Sequence, residues 1–322
     1  MKMIKTLLLA LTFGTLLSGC ESESEKVLKE LNSVEQMVKS QLDGLKTHLK
    51  NGRIQNAVLL QKYGEYIKKN KPEMSEIADA LMLDAASDGP AIQSLYDRLN
   101  QIKSQIPAAA ERGNQGGNEL LPELRSISNG ANTDIFNMKL SDPVNVLAQM
   151  SDGKLPPVSL EGVKEEDKAN DQVAHQLVGN PQYGSWQTNS SGGTFWAWYG
   201  QYAFFSNLFG GPYRYSTWAG SRGYSYYNDA GRDYYTSPQQ RRQYTQTENR
   251  VRKSYQSQGQ KFQSPYATKP KSTSTKNRLS RPNKFNSSYA SNNSSNRSNS
   301  SKSNSYRSRS SGRSRSSRGG GK

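Results

Sequence analysis

The sequence predicts a mainly α protein: an N-terminal antiparallel helical bundle, a small aromatic-rich β module, and a long disordered basic tail. Three observations carry this reading. Apolar residues recur at steps of three and four through residues 26–106, every tryptophan falls within residues 181–236, and residues 259–322 contain no acidic residue. With 33% hydrophobic residues and a net charge of +16 over 322 residues, the chain is too polar to form one compact domain throughout.

The first residues have the form of a secretory leader. Lys2 and Lys5 make a positive start, and Ile4 to Leu17 form an apolar core with no charge after Lys5. That core is too short to read as a membrane-spanning helix with stop-transfer flanks. It ends in Leu17-Ser18-Gly19-Cys20, which resembles the lipobox of bacterial prolipoproteins. The resemblance implies that residues 1–19 are removed as a signal peptide and that the Cys20 thiol takes diacylglycerol. Cys20 is the only cysteine, so an exported chain has no internal disulfide to make and the thiol needs another use. Several acyl chains on one cysteine meet the two-signal requirement for stable anchoring. In enterobacterial sorting an aspartate after the cysteine retains a lipoprotein in the inner membrane. Glu21 stands there instead, which implies the outer membrane, with the body facing the periplasm.

Residues 20–107 read as the bundle. Val27, Leu31, Val34, Val38, Leu42, Leu45 and Leu49 form one stripe of helical period. Asn51-Gly52 offers a turn, and Ile54, Val58, Tyr63 and Ile67 carry a weaker second stripe. Pro72 suits the first turn of a third helix, with Met74, Ile77, Ala78, Leu81, Met82 and Ala85 inward. After the break at Ser87-Asp88-Gly89-Pro90, a fourth stripe of Ile92, Leu95, Leu99, Ile102 and Ile106 ends at Pro107. Connections this short favour antiparallel neighbours. Residues 108–180 read as a linker with short helices. Ala108–Asn118 is rich in Gly, Asn and Gln, while Glu119–Ser128 and Pro143–Met150 are helical, the latter capped by Ser141 or Asp142. Pro156-Pro157 breaks the chain before a polar helix over Lys164–Val178.

Residues 181–237 are the aromatic module. Trp186, Trp196, Trp198 and Trp218 lie here, with ten of the eighteen tyrosines. A helix over Phe195–Phe209 would be apolar nearly all round, but at about 22 Å too short to span a bilayer. Tyr213–Trp218, Arg222–Asn228 and Asp233–Ser237, separated by Gly-containing breaks, predict an antiparallel meander. Three uses of the rings stay open: a buried core, a segment at the lipid headgroup level, or a platform for sugar rings. The last two make the four tryptophans a candidate binding surface.

Residues 238–258 predict a basic helix containing Arg241 and Arg242, and residues 259–322 a Ser/Arg/Asn-rich tail. Residues 20–180 hold 18 Lys/Arg against 24 Asp/Glu, whereas residues 181–322 hold 23 Lys/Arg against only Asp229, Asp233 and Glu248. The division describes a basic arm on a mildly acidic body. Arg309, Arg313, Arg315 and Arg318 stand among Ser and Gly in a run resembling the Arg-Ser and Arg-Gly tails of nuclear RNA-binding proteins. The leader argues against that setting, so nucleic acid is the weakest of the partners considered. An anionic envelope polymer or lipid headgroup, or a protein, fits better. Ser191-Gly192-Gly193-Thr194-Phe195-Trp196, followed by Gly/Tyr-rich and Ser/Arg/Gly segments, is similar to a group of enterobacterial envelope lipoproteins. That resemblance implies no activity.

The sequence contains no phosphate-cradling GxxxxGK[ST], no GxGxxG, no HExxH, no CxxC and no GxSxG. His48 and His175 are its only histidines and read as ordinary structural residues. No catalytic residue, cofactor or metal ligand is expected, and the function expected is binding or scaffolding in the envelope. The rival is an enzyme or regulator of wall glycans, since glycan hydrolysis needs only two carboxylates.

Overall fold

The computed structural model describes residues 21–158, 174–208 and 211–266, all within one compact unit. The leader, Cys20, most of the Lys164–Val178 segment, Phe209 and the chain from residue 267 onward lie outside the described residues. So do Arg309, Arg313, Arg315 and Arg318.

Helix α1 (Glu23–Lys50) begins at a capping box in which Glu25 N–H donates to Ser22 Oγ and Ser22 N–H to Glu25 Oε2, at 3.2 and 2.9 Å. All seven residues of the first apolar stripe are buried in it. In α2 (Gln55–Asn70) the inward face is Ala57, Leu60, Tyr63 and Ile67. Leu60 takes the place expected of Val58, which is only half-buried. Pro72 opens a short 3-10 turn ahead of α3 (Ser75–Met82), and Pro90 opens α4 (Pro90–Glu111).

Helix α4 runs through Pro107 rather than ending there, and the expected linker over 108–118 is instead closely packed helix. Ala109 and Ala110 are buried. One turn at Arg112-Gly113, with Gly113 at φ 56°, leads into α5 (Asn114–Gly130). The glycines there are contact residues. A Cβ on Gly116 would stand 1.9 Å from the Ala109 carbonyl oxygen, so only glycine allows the two helices to approach so closely.

Hydrogen bonds set the directions of the packed helices. Tyr96 donates to Asp43 while Lys103 pairs with Glu35, so α1 and α4 are antiparallel. Arg98 with Glu123 and Arg112 with Glu119 make α4 and α5 antiparallel as well. Short helices α6 (Thr133–Lys139) and α7 (Ser141–Met150) follow, and α7 packs with α3's neighbour α2. Neither Ser141 nor Asp142 caps α7, because both lie inside its first turn.

Strands β1 (Gly184–Thr188) and β2 (Thr194–Trp198) form one antiparallel hairpin with Trp186 opposite Trp196. The expected meander over 213–237 is helical instead. The elements are α8 (Phe204–Leu208), α9 (Tyr215–Ser221), a π-helical turn at Tyr227–Gly231, and α10 (Arg232–Tyr235). Helix α11 (Pro238–Ser257) is the expected basic helix, opened by a capping box between Ser237 and Gln240. The chain after Gly259 is still part of the body: Pro265 is buried and Tyr266 stacks 3.5 Å from the Arg232 guanidinium. Residues 174–178 are a turn, with Ala174 at φ 64°, rather than the end of a polar helix. Among the described residues no helix is long and apolar enough to cross a membrane.

Candidate functional site

Trp186, Trp196, Trp198 and Trp218 are all interior, none more than 9% exposed. The four rings therefore form no exposed surface: of the three uses left open they take the first, a buried core. Trp186 organises the cluster, with edge contacts to Trp196 and Tyr215 at 5.1 and 4.8 Å and a tilted contact to Trp218 at 5.2 Å. Such pairings add to the area that the rings bury. Arg241, the first basic residue of α11, is half-buried and bonds Glu123 and the Thr236 carbonyl, a structural duty. Arg242 is exposed.

Beneath the cluster lie buried polar networks with no local signature. Lys139 donates to Gln182 Oε1 at 2.9 Å, and Gln182 in turn donates to Asp84, which also accepts from the Tyr183 hydroxyl. Asp142 reaches across from α7 to accept the backbone N–H groups of Tyr226 and Tyr227 at 2.7 and 2.9 Å, and the Ser225 hydroxyl. Arg222 pairs with Asp229 through two nitrogens and also donates to the Pro265 carbonyl. His175 is buried nearby in sequence to this module, and His48 half-buried in the last turn of α1. Among the described residues no group of three or more His, Cys, Asp or Glu is arranged to hold a metal ion.

Burial pushes the Asp84 carboxyl up to about 6, against the nearby Lys139 charge and the Tyr183 hydroxyl, pushes the Asp142 carboxyl up to about 7, against its backbone N–H donors, and pushes the Lys139 ammonium down. Carboxyls raised in the folded state bind protons that the unfolded chain releases. Their stabilising contribution is thus full below about pH 4 and is lost as pH rises through 6 and 7. Urea midpoints are expected to fall between pH 4.5 and 8, and Asp142→Asn to flatten that slope while lowering stability throughout. An unchanged slope in the variant would show that Asp142 does not titrate there.

One surface cleft, about 290 Å³ in volume, lies between the hairpin turn, the start of α9 and the C-terminal half of α11. Tyr215 and Tyr255 supply its rings, and Ser216, Arg250, Ser254 and Gln258 its polar groups. The turn beside it is fixed by Gly193 N–H donating to Asn189 Oδ1 at 2.7 Å and by Gly192 at φ 81°. Among the described residues that line the cleft Arg250 alone is charged, and its Nη1 donates to Thr188 Oγ1 at 2.6 Å. Tyr215 is 2% exposed, and its hydroxyl has no hydrogen-bond partner among the described residues. Among the described residues no carboxylate lines the cleft. In the sequence Arg250 is one position of the basic helix over 238–258, and nothing there joins it to Gly192, Gly193, Thr194 and Tyr215, which the fold brings to the same cleft. No family model, curated protein or solved structure matches the chain.

Proposed function

We propose that the chain is a lipid-anchored envelope protein that binds or scaffolds without catalysis, its basic C-terminal arm engaging an anionic envelope polymer or headgroup surface. The observation that carries this is the charge division. Helix α11 exposes Arg242 and Lys253, and the chain beyond it leads into residues 267–322, which hold Lys and Arg but no acid. No internal pairing within that segment neutralises it, so its charge is available to an anionic surface. Recognition of this kind is electrostatic and weakens as salt shortens the Debye length from about 10 Å at 0.1 M to about 3 Å at 1 M.

The anchor reading fits the start of the body. Only Glu21 and the capping residue Ser22 stand between Cys20 and α1, so lipid on Cys20 would hold the helix within about 10 Å of the membrane surface. At about 42 Å, a helix of 28 residues then carries the rest of the body away from the bilayer or along it, but not through a long tether.

The test compares the wild type, Cys20→Ser and a chain ending at Tyr266. Wild-type and truncated proteins are expected to mature and to fractionate with outer-membrane markers, and Cys20→Ser to persist as precursor. Purified wild-type protein should sediment with wall fragments or anionic vesicles at about 0.1 M salt and be released at about 1 M, and the truncated chain should bind at least about tenfold less. Normal maturation of Cys20→Ser removes the anchor from the proposal. Equal binding by the truncated chain at about 0.3 M salt removes the arm.

A further inference from the structure

The cleft beside α11 supports a second binding function, which goes beyond the anchor and arm and does not rest on them. Its volume of about 290 Å³ is at the lower end of the roughly 300–1,000 Å³ of small-molecule sites, room for one substituted ring. Three features of the lining select the ring's chemistry. The first is aromatic: the half-buried Tyr255 stands at the cleft, braced by Phe262 at 5.6 Å, while Tyr215, 2% exposed, is wall rather than platform. A braced ring at a surface cleft suits a flat aliphatic face such as the C–H side of a pyranose. The second is polar. Ser216, Ser254, Gln258 and Gln260 offer hydroxyls and amides that both donate and accept, as a polyhydroxylated ligand requires.

The third feature is charge. Arg250 has no acidic partner among the described residues, and Thr188 engages one end of its guanidinium. That bond orients the planar fork and leaves its other donors for a carboxylate. A single cation matches a monoanion better than a phosphate dianion. We infer that this cleft binds a carboxylated pyranose, with the sugar ring against Tyr255 and its carboxylate on Arg250.

The test is calorimetric titration of the mature full chain with glucuronic acid, N-acetylmuramic acid, glucose and acetate. One or both sugar acids are expected to bind saturably at one site, and glucose about tenfold or more weaker, since it lacks the charge-assisted bond. Acetate should show no saturable binding. Arg250→Gln should bring the acids down to the affinity of glucose. Ser254→Trp, a change at an exposed helix position that fills the cleft, should abolish sugar binding while leaving circular dichroism unchanged. Tighter binding of one acid identifies its source as a uronic-acid or a muramic-acid glycan. Acetate binding as well as the sugar acids, no saturable binding of either acid, or wild-type affinity in both variants overturns the assignment. The vesicle and wall-fragment result with the truncated chain is independent of this one, so either reading can fail alone.

Discussion

Glu123→Ala is expected to destabilise the body by about 3–5 kcal/mol, because it strands a buried guanidinium. Glu123 Oε1 accepts from Arg98 Nε and Nη2 at 2.8 and 2.6 Å, and Oε2 accepts from Arg241 Nη2 at 2.6 Å. Arg98 is 7% exposed and also donates to the Tyr234 carbonyl, so one carboxylate ties α4 and α5 to the start of α11. Burial lowers the Arg98 pKa, yet a guanidinium does not deprotonate at ordinary pH, and its unpaired charge must be solvated or the helices must part. At roughly 2–4 °C per kcal/mol for a body of this size, the thermal midpoint should drop by about 6–20 °C. Arg241→Ala should cost less, since that side chain is 38% exposed. The double change Arg98→Met with Glu123→Leu should recover much of the loss, because an apolar pair of similar volume leaves no charge behind. A Glu123→Ala protein melting within about 2 °C of the wild type would show that water already reaches Arg98.

Periodicity revealed those parts of the fold whose stabilisation is local and one-sided. The stripe from Val27 to Leu49 is buried as a stripe because nothing but helical spacing unites those residues, and the Ser237-Pro238 start of α11 carries its own cap. It failed where tertiary packing reversed the usual meaning of a residue. Gly116 and Gly117 read as linker but act as contact points against Ala109 and Val27. Pro107 reads as a stop, yet the alanines after it continue the helix and bury Ala109 and Ala110. Tyr226 and Tyr227 read as strand, but their backbone N–H groups are held by Asp142, a cap that arrives from more than eighty residues away and leaves no trace in the local pattern.

The site was legible in its ingredients rather than its arrangement. Aromatic density marked residues 181–236, but the tryptophans that drew attention are the interior of the module, as is Tyr215, and the half-buried ring at the cleft is Tyr255 of α11. Arg98 and Glu123 gave a faint sign, since each is a charge set among the apolar positions of a helix: Arg98 lies between Leu95 and Ile102, Glu123 beside Leu120 and Leu124. Charges at such positions need partners. Asp84, Lys139 and Asp142 gave none: Asp142 read as a cap, and the partners that bury the other two, Gln182 and Tyr183, lie more than forty residues away.

Trp196→Ala should cost about 3–5 kcal/mol, of the same order as the whole stability of a small module. Trp196 is 0% exposed, sits edge-on to Trp186 and Trp198 at 5.1 and 6.0 Å, and closes over Gly184, where a Cβ would fall 2.8 Å from the indole. Both the indole and the Ala197 carbonyl oxygen, 2.3 Å from such a Cβ, keep position 184 a glycine, so removing the indole leaves a cavity that the opposite strand cannot fill without a side chain. The hairpin then loses its central cross-strand pair, and Trp186 loses one of the contacts that hold Tyr215 at the cleft. Near-UV circular dichroism should lose most of its tryptophan signal while the helical far-UV signal of α1 to α5 largely persists. Trp196→Phe keeps a ring and removes an indole N–H that has no hydrogen-bond partner among the described residues, so its net cost should stay under about 2 kcal/mol. If Trp196→Ala instead leaves the near-UV signal and the melting curve unchanged, this ring is not the keystone of the module and the hairpin is held by its backbone pairing and by Tyr213, whose carbonyl accepts the Trp196 backbone N–H at 2.8 Å.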